Sequence, residues 1–174
     1  MTAKPTAGLF GYIFSQEGKL FVKKRGKNES LAGEWDLPGG GVEEEVNANA
    51  KDERVVIEEL LREIHEETGY YIPHFDVMPA MYPAVSPGGK DWAFGINVGM
   101  IAGSPPFLHP GNYQYVSPEE LEKLANGSPG NRIVSGYGKR MHRLCLLGLE
   151  KFSPNNNFRE QAGKTLQKIW ETWD

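Results

Sequence analysis

A single cysteine, Cys145, is present among 174 residues, which excludes a framework of intramolecular disulfides and suits a reducing compartment. Cys145 lies in the apolar run LCLLGL, where the expected role is that of a small buried hydrophobe and not a nucleophile. No apolar run reaches the length of a membrane span. The start, MTAKPTAGLFGYIF, lacks an apolar core followed by a small-residue cleavage site, so no leader, no membrane association and a cytoplasmic location are expected. A basic excess is also missing: 19 Lys and Arg stand against 23 Asp and Glu, a net charge of −4. A nucleic acid polymer is therefore not an expected partner. A small anionic ligand is compatible with that charge, because a bound cation reverses the sign of a site locally.

What is present is a globular composition, 39% hydrophobic and 24% charged. The chain reads as one domain over residues 1–174, with 130–174 a helical C-terminal extension. GLFGYIF and KLFVKK are short aromatic and β-branched runs around the turn SQEG, which predicts a hairpin. A short strand is expected at Trp35–Leu37, then a Pro-Gly-Gly-Gly turn that lets backbone approach closely. EEEVNANAKDE has no period and reads as a surface insertion. From Val55 the apolar stripe Val56, Ile57, Leu60, Leu61, Ile64 predicts a helix that Gly69 ends. Further strands are expected in YYIPHFDVMPAMYPAV, DWAFGINVGMIAG and YQYV. Ser117, Pro118 and Glu120 then mark a helix start with a capping box. Two helices, GKRMHRLCLLGLEKF and FREQAGKTLQKIWETW, flank the breaker SPNNN. Strands, a helix, more strands and more helices make an α/β (α+β) fold, a mixed sandwich and not a repeated βαβ unit.

The stretch REIHEETGY, Arg62–Tyr70, concentrates acid at a helix C-terminus, where the helix dipole disfavours it. At about 100° per residue, Glu66 and Glu67 lie roughly 60° and 40° to either side of Glu63, so the three carboxylates share a face, and Glu59 projects to it from one turn earlier. Such a cluster offers hard oxygen donors suited to Mg²⁺ or Mn²⁺. An acidic solvated face is the alternative, since glutamate is a good helix former.

EWDLPGGGVE followed by REIHEETGY resembles the Nudix hydrolases, whose signature is G-x5-E-x7-R-E-U-x-E-E-x-G-U with U apolar. Arg62, Glu63, Ile64, Glu66, Glu67, Gly69 and Tyr70 fill the second half, Gly40 stands as the signature glycine, and Trp35 and Pro38 are placed as the family often has them. The resemblance implies a Nudix-like α/β/α sandwich with a mixed sheet, spanning most of residues 7–125, with extra C-terminal helices. The chain departs from the signature in one respect. The segment from Gly40 to Arg62 is about eight residues too long, and the first-glutamate positions counted from either end hold Val46 and Arg54. Glu53 or Glu45 is expected to take that role by pairing with Arg62.

The resemblance further implies cleavage of a diphosphate linked to another moiety, with Mg²⁺ as cofactor and Mn²⁺ as a substitute. Glu63, Glu66, Glu67 and the Gly40 carbonyl are then the metal ligands. Either Glu66 or Glu67 then also orients or deprotonates water, with Arg62 positioning a glutamate. Asp91, after the glycines of SPGGKDW, is the loop alternative for a base. Trp92 and Phe94 are expected to stack on a nucleotide-type substrate, with Tyr82 and Phe10 as further aromatic possibilities. Arg25, with Lys23 and Lys24, could meet a phosphate, although a solvated strand end is the preferred reading of that basic run. The proline of SPGG after the box is similar to the ADP-ribose branch, so ADP-ribose or a nucleotide sugar is favoured over a nucleoside triphosphate. A nucleotide-sensing module without hydrolysis is a third reading, and a homodimer is a weaker expectation from the family.

Overall fold

Alternate residues of the first strand, β1 (Ala7–Phe14), serve two separate cores. Successive side chains of a strand point to opposite faces. Leu9 and Ile13 accordingly enter one apolar cluster, while Phe10, Tyr12 and Phe14 belong to the other. The computed structural model describes residues 7–41, 53–73, 81–85, 92–134 and 140–170.

The remaining strands are β2 (Leu20–Lys24), β3 (Trp35–Asp36), β4 (Gly39–Gly41), β5 (Met81–Val85), β6 (Trp92–Met100) and β7 (Tyr113–Val116). Among the described residues they form one sheet in the order β3-β2-β1-β6-β5, with β4 also on β1 and β7 on β2. Among the described strands β1 and β6 run parallel and the other strand pairs are antiparallel. The sheet is mixed, as expected. The β1–β2 turn closes as a hairpin, with the Ser15 N–H on Lys19 O at 3.0 Å and the Gly18 N–H on Ser15 O at 2.9 Å.

Helix α1 (Glu53–Thr68) covers one face of the sheet. Its Ile57, Leu60 and Ile64, spaced three and four apart, are buried with Leu9, Ile13, Ile96 and Val98. A Cβ at Gly11 would stand 2.8 Å from Ile64 Cδ1, so the bare glycine lets the helix close on β1.

Helices α2 (Pro118–Ala125), α3 (Arg140–Phe152) and α4 (Asn156–Trp170) pack on the other face. The result is an α/β/α sandwich. The second core is organised around Tyr12, whose hydroxyl donates to Leu144 O at 2.7 Å. Its ring fills the space that side chains at Gly95 and Gly148 would need, their Cβ atoms falling 2.2 and 2.3 Å from Tyr12 atoms. Cys145 is fully buried in this core, with a thiol that burial pushes well above its ordinary value.

Ser117 caps α2 as expected: its hydroxyl accepts the Glu120 N–H at 3.1 Å, and the Glu120 carboxylate receives the Ser117 N–H. Helix α4 begins at Asn156, two residues before its expected start, because Asn155 Oδ1 accepts the N–H groups of Asn157 and Phe158 at 3.0 and 3.1 Å. Among the described residues no helix is long and apolar enough to cross a membrane.

Candidate functional site

Two glycines fix where the acidic turn of α1 meets the sheet. Gly69, at φ +80°, ends the helix with its N–H on His65 O at 2.8 Å, so Glu63, Glu66 and Glu67 occupy the final turns. Gly39 has φ +138°, and a Cβ there would lie 2.0 Å from Leu9 O. Only glycine lets β4 lie this close against β1. The Gly39 N–H is thereby turned toward α1 and donates to Glu67 Oε2 at 3.1 Å. One residue further, the Glu63 carboxylate stands beside Gly40, its Oε2 3.6 Å from where a Gly40 Cβ would be.

Arg62 relieves the crowding of like charges along this helix. Its guanidinium donates to Glu59 through Nε at 3.3 Å and again through Nη2, to Glu63 Oε1 at 3.0 Å and to Glu66 Oε1 at 2.7 Å. These bonds, with Glu59 foremost, hold Arg62 still further from deprotonation than usual. Glu63 and Glu67 are mostly covered, with 21% and 22% of their side-chain surface exposed, whereas Glu66 is 55% exposed on the outer side.

Lys23 lies at the end of β2 directly opposite Asp36 of β3. Its ammonium is 3.3 Å from Asp36 Oδ1 and 3.4 Å from Glu67 Oε2. The reading of this basic run as a solvated strand end is thus corrected for Lys23, which is only 5% exposed because β3 and β7 both pair with β2 and enclose its end. Burial alone would lower the Lys23 pKa, but Asp36 and Glu67 outweigh it and hold the group above its ordinary value. Lys24 packs over the Trp35 ring at 5.3 Å. Arg25 donates to Asp36 Oδ2 at 2.8 Å, Ser30 O at 2.7 Å and Ser30 Oγ at 3.2 Å, and so ties the loop after β2 to the same acid.

Burial is the main cause that lifts the Glu67 carboxyl to about 7; Lys23 and the Gly39 N–H pull against it. Asp36 has no part in the sequence-based expectation, which also puts Lys23 at a solvated strand end and not turned inward. The signal available was an acid within an otherwise apolar stretch, Trp35-Asp36-Leu37, which requires a buried cation.

The other expected site residues fall in several places. Glu45 and Asp91 lie outside the described residues. Glu53 begins α1, but its side chain lies outside them, as do those of Tyr82, Trp92 and Phe94 in β5 and β6. Phe10 faces the second core, away from α1. His65 is exposed, its ring 5.7 Å from that of Phe107. Among the described residues no three His, Cys, Asp or Glu side chains are already assembled around a common metal position. The donor chemistry nevertheless suits a hard divalent cation: Glu63 and Glu67 carboxylates converge on the Gly39–Gly40 backbone.

The sequence profile of the NUDIX domain matches residues 4–135, and the chain belongs to this family of hydrolases. Solved structures of the same fold include a MutT protein from Methanosarcina mazei, 19% identical with TM-score 0.54, covering 95% of this chain and 97% of that one. A NUDIX hydrolase from Nitrosomonas europaea is 15% identical with TM-score 0.56, covering 87% and 74%. A bifunctional NMN adenylyltransferase/ADP ribose pyrophosphatase from Francisella tularensis, complexed with AMP and a Mn ion, is 15% identical with TM-score 0.56. It covers 84% of this chain and 42% of that one. No curated protein matches the chain in sequence.

Proposed function

We propose that this Nudix hydrolase cleaves the diphosphate linkage of a nucleoside diphosphate joined to another moiety, ADP-ribose or a nucleotide sugar, with Mg²⁺ or Mn²⁺. The observation that carries this reading is the approach of Glu63 and Glu67 to the Gly39–Gly40 backbone. Glu63, Glu67 and the Gly40 carbonyl would hold the metal, with Glu66 joining them once its side chain turns from Arg62. A bound divalent ion supplies Lewis-acid stabilisation of phosphate charge and acidifies water.

The protein's own groups have separable tasks. Arg62 gathers Glu59, Glu63 and Glu66 and limits their mutual repulsion. A side chain at Gly40 would extend along the Glu63 carboxylate, whose Oε2 lies 3.6 Å from the Cβ position. Glu67 has one oxygen fixed on the Gly39 N–H, which leaves its other oxygen to meet the metal or to orient a water. The preference for ADP-ribose or a nucleotide sugar rests on the proline after the signature helix.

The test is hydrolysis of a panel of ADP-ribose, sugar nucleotides, dinucleoside polyphosphates and nucleoside triphosphates, each with Mg²⁺, Mn²⁺ or chelator, with products identified by mass. Metal-dependent cleavage of a diphosphate-linked substrate is expected, and Glu67→Gln should lower turnover at least about a hundredfold with the fold intact. Preference for triphosphates would replace the substrate class. Nucleotide binding without any product would replace hydrolysis by sensing.

A further inference from the structure

The ammonium of Lys23 and the Gly39 N–H converge on the same oxygen of Glu67. Oε2 takes both, at 3.4 and 3.1 Å, while Oε1 takes no hydrogen bond among the described residues. A carboxylate held by one oxygen from two directions is fixed in rotation, and its second oxygen has one aim. We infer that Lys23 is a positioning residue for Glu67: by anchoring Oε2 it directs Oε1 into the metal and water site.

Lys23 is itself held for this task. Its ammonium is shared with Asp36 Oδ1 at 3.3 Å, and the other Asp36 oxygen is occupied by Arg25 at 2.8 Å. Opposite charges therefore alternate along Arg25, Asp36, Lys23 and Glu67, from one partly exposed end to the other through the buried pair Asp36 and Lys23. Asp36 and Lys23 are each 6% exposed in their side chains. An ion pair this buried costs desolvation that hydrophobic residues of the same volume would avoid, so stability alone is a poor reason for it. Fixing the geometry of Glu67 is a sufficient one. A phosphate-binding role is disfavoured, because the ammonium already faces two carboxylates and is enclosed by β3 and β7.

This inference rests on the proposed metal site, and its test is a double-mutant cycle read by Mn²⁺ binding, from the free-ion paramagnetic resonance signal, alongside turnover. Glu67→Gln is made in the wild type and in Lys23→Met, with thermal melting to count folded protein. In the wild type, Glu67→Gln should weaken Mn²⁺ binding about tenfold or more; in the Lys23→Met background it should cost less than about threefold, because Glu67 is no longer aimed. Lys23→Arg, which keeps a bridging cation, should restore most of the wild-type effect. Lys23→Gln replaces Lys23→Met if the latter does not fold. Equal effects of Glu67→Gln in both backgrounds, or a larger one without Lys23, would overturn the positioning role. A raised KM with kcat unchanged in Lys23→Met would assign Lys23 to the substrate instead. Coupled Mn²⁺ binding with no substrate cleaved would leave Lys23 in place and remove the hydrolysis reading. Absence of Mn²⁺ binding to the wild type would overturn both.

Discussion

Gly39 and Glu67 are joined across the gap between β4 and α1, backbone N–H to carboxylate at 3.1 Å. The bond exists because Gly39 holds a backbone conformation closed to other residues, with Leu9 O where a side chain would begin. Gly39→Ala should therefore lose about 2–4 kcal/mol of stability in denaturant unfolding. Gly40→Ala is the control. Among the described residues its Cβ would meet only the Glu63 carboxylate, at 3.6 Å or more, and it should fold within about 1 kcal/mol of wild type. Equal loss at both positions would show that β4 is not the constraint.

The pH dependence of the metal-free protein follows from Glu67. Its carboxyl sits at about 7, above the ordinary 4.5. The folded state then holds this proton more tightly than the unfolded one. That contribution is complete below about pH 4.5 and is lost as the pH rises through 7. Glu67→Gln cannot ionise, so it should melt close to wild type at pH 5 and higher than wild type at pH 8, by up to about 3 kcal/mol. A variant that melts lower at pH 8 would reverse the sign. Mn²⁺ binding near pH 7 should release protons, measurable in calorimetry across buffers of different ionisation enthalpy.

Arg62 meets three carboxylates with a planar fork, which an ammonium cannot reproduce. Arg62→Lys should keep the fold and lower kcat on the order of tenfold. Wild-type turnover in this variant would mean that charge alone is required.

On the far face of the sheet, Tyr12→Phe removes the hydroxyl's bond to Leu144 O from a buried core and should cost about 1–2 kcal/mol. Gly148→Ala drives a methyl into the Tyr12 ring and should cost about 1–3 kcal/mol. Chemical denaturation of each variant gives the values directly.

Ser117→Ala removes the acceptor for the Glu120 N–H and loosens a carboxylate that also binds Lys19 at 3.0 Å. Its expected cost is about 1 kcal/mol, with Ser117→Asp close to wild type.

Features written in a few consecutive residues were legible before the structure. The stop at Gly69, the Ser117–Glu120 box, the β1–β2 turn and the stripe through Ile57, Leu60 and Ile64 each follow from local chemistry. Lys23 was misread because its surroundings are assembled from afar: Asp36 and Tyr113 face it from β3 and β7, thirteen and ninety residues on. The carboxylates of α1 were found from helical spacing, but that spacing does not say which of them the sheet covers. Glu63 and Glu67 turn toward β4, and Glu66 does not, because the register of α1 on β1 is set by packing around Gly11 and Ile64. Helix α4 starts two residues before Phe158 because Asn155, inside the breaker SPNNN, serves as its cap.

The two allegiances of β1 also impose an order on synthesis. The strand emerges from the ribosome before the elements that cover it, and α1, which covers Leu9 and Ile13, follows within about sixty residues. The helix that receives the Tyr12 hydroxyl and closes over the opposite face comes more than a hundred and twenty residues after β1. Throughout that interval Phe10, Tyr12 and Phe14 wait on an uncovered sheet surface, so the nascent chain carries an exposed aromatic ladder that a chaperone, or another nascent chain, is free to meet first.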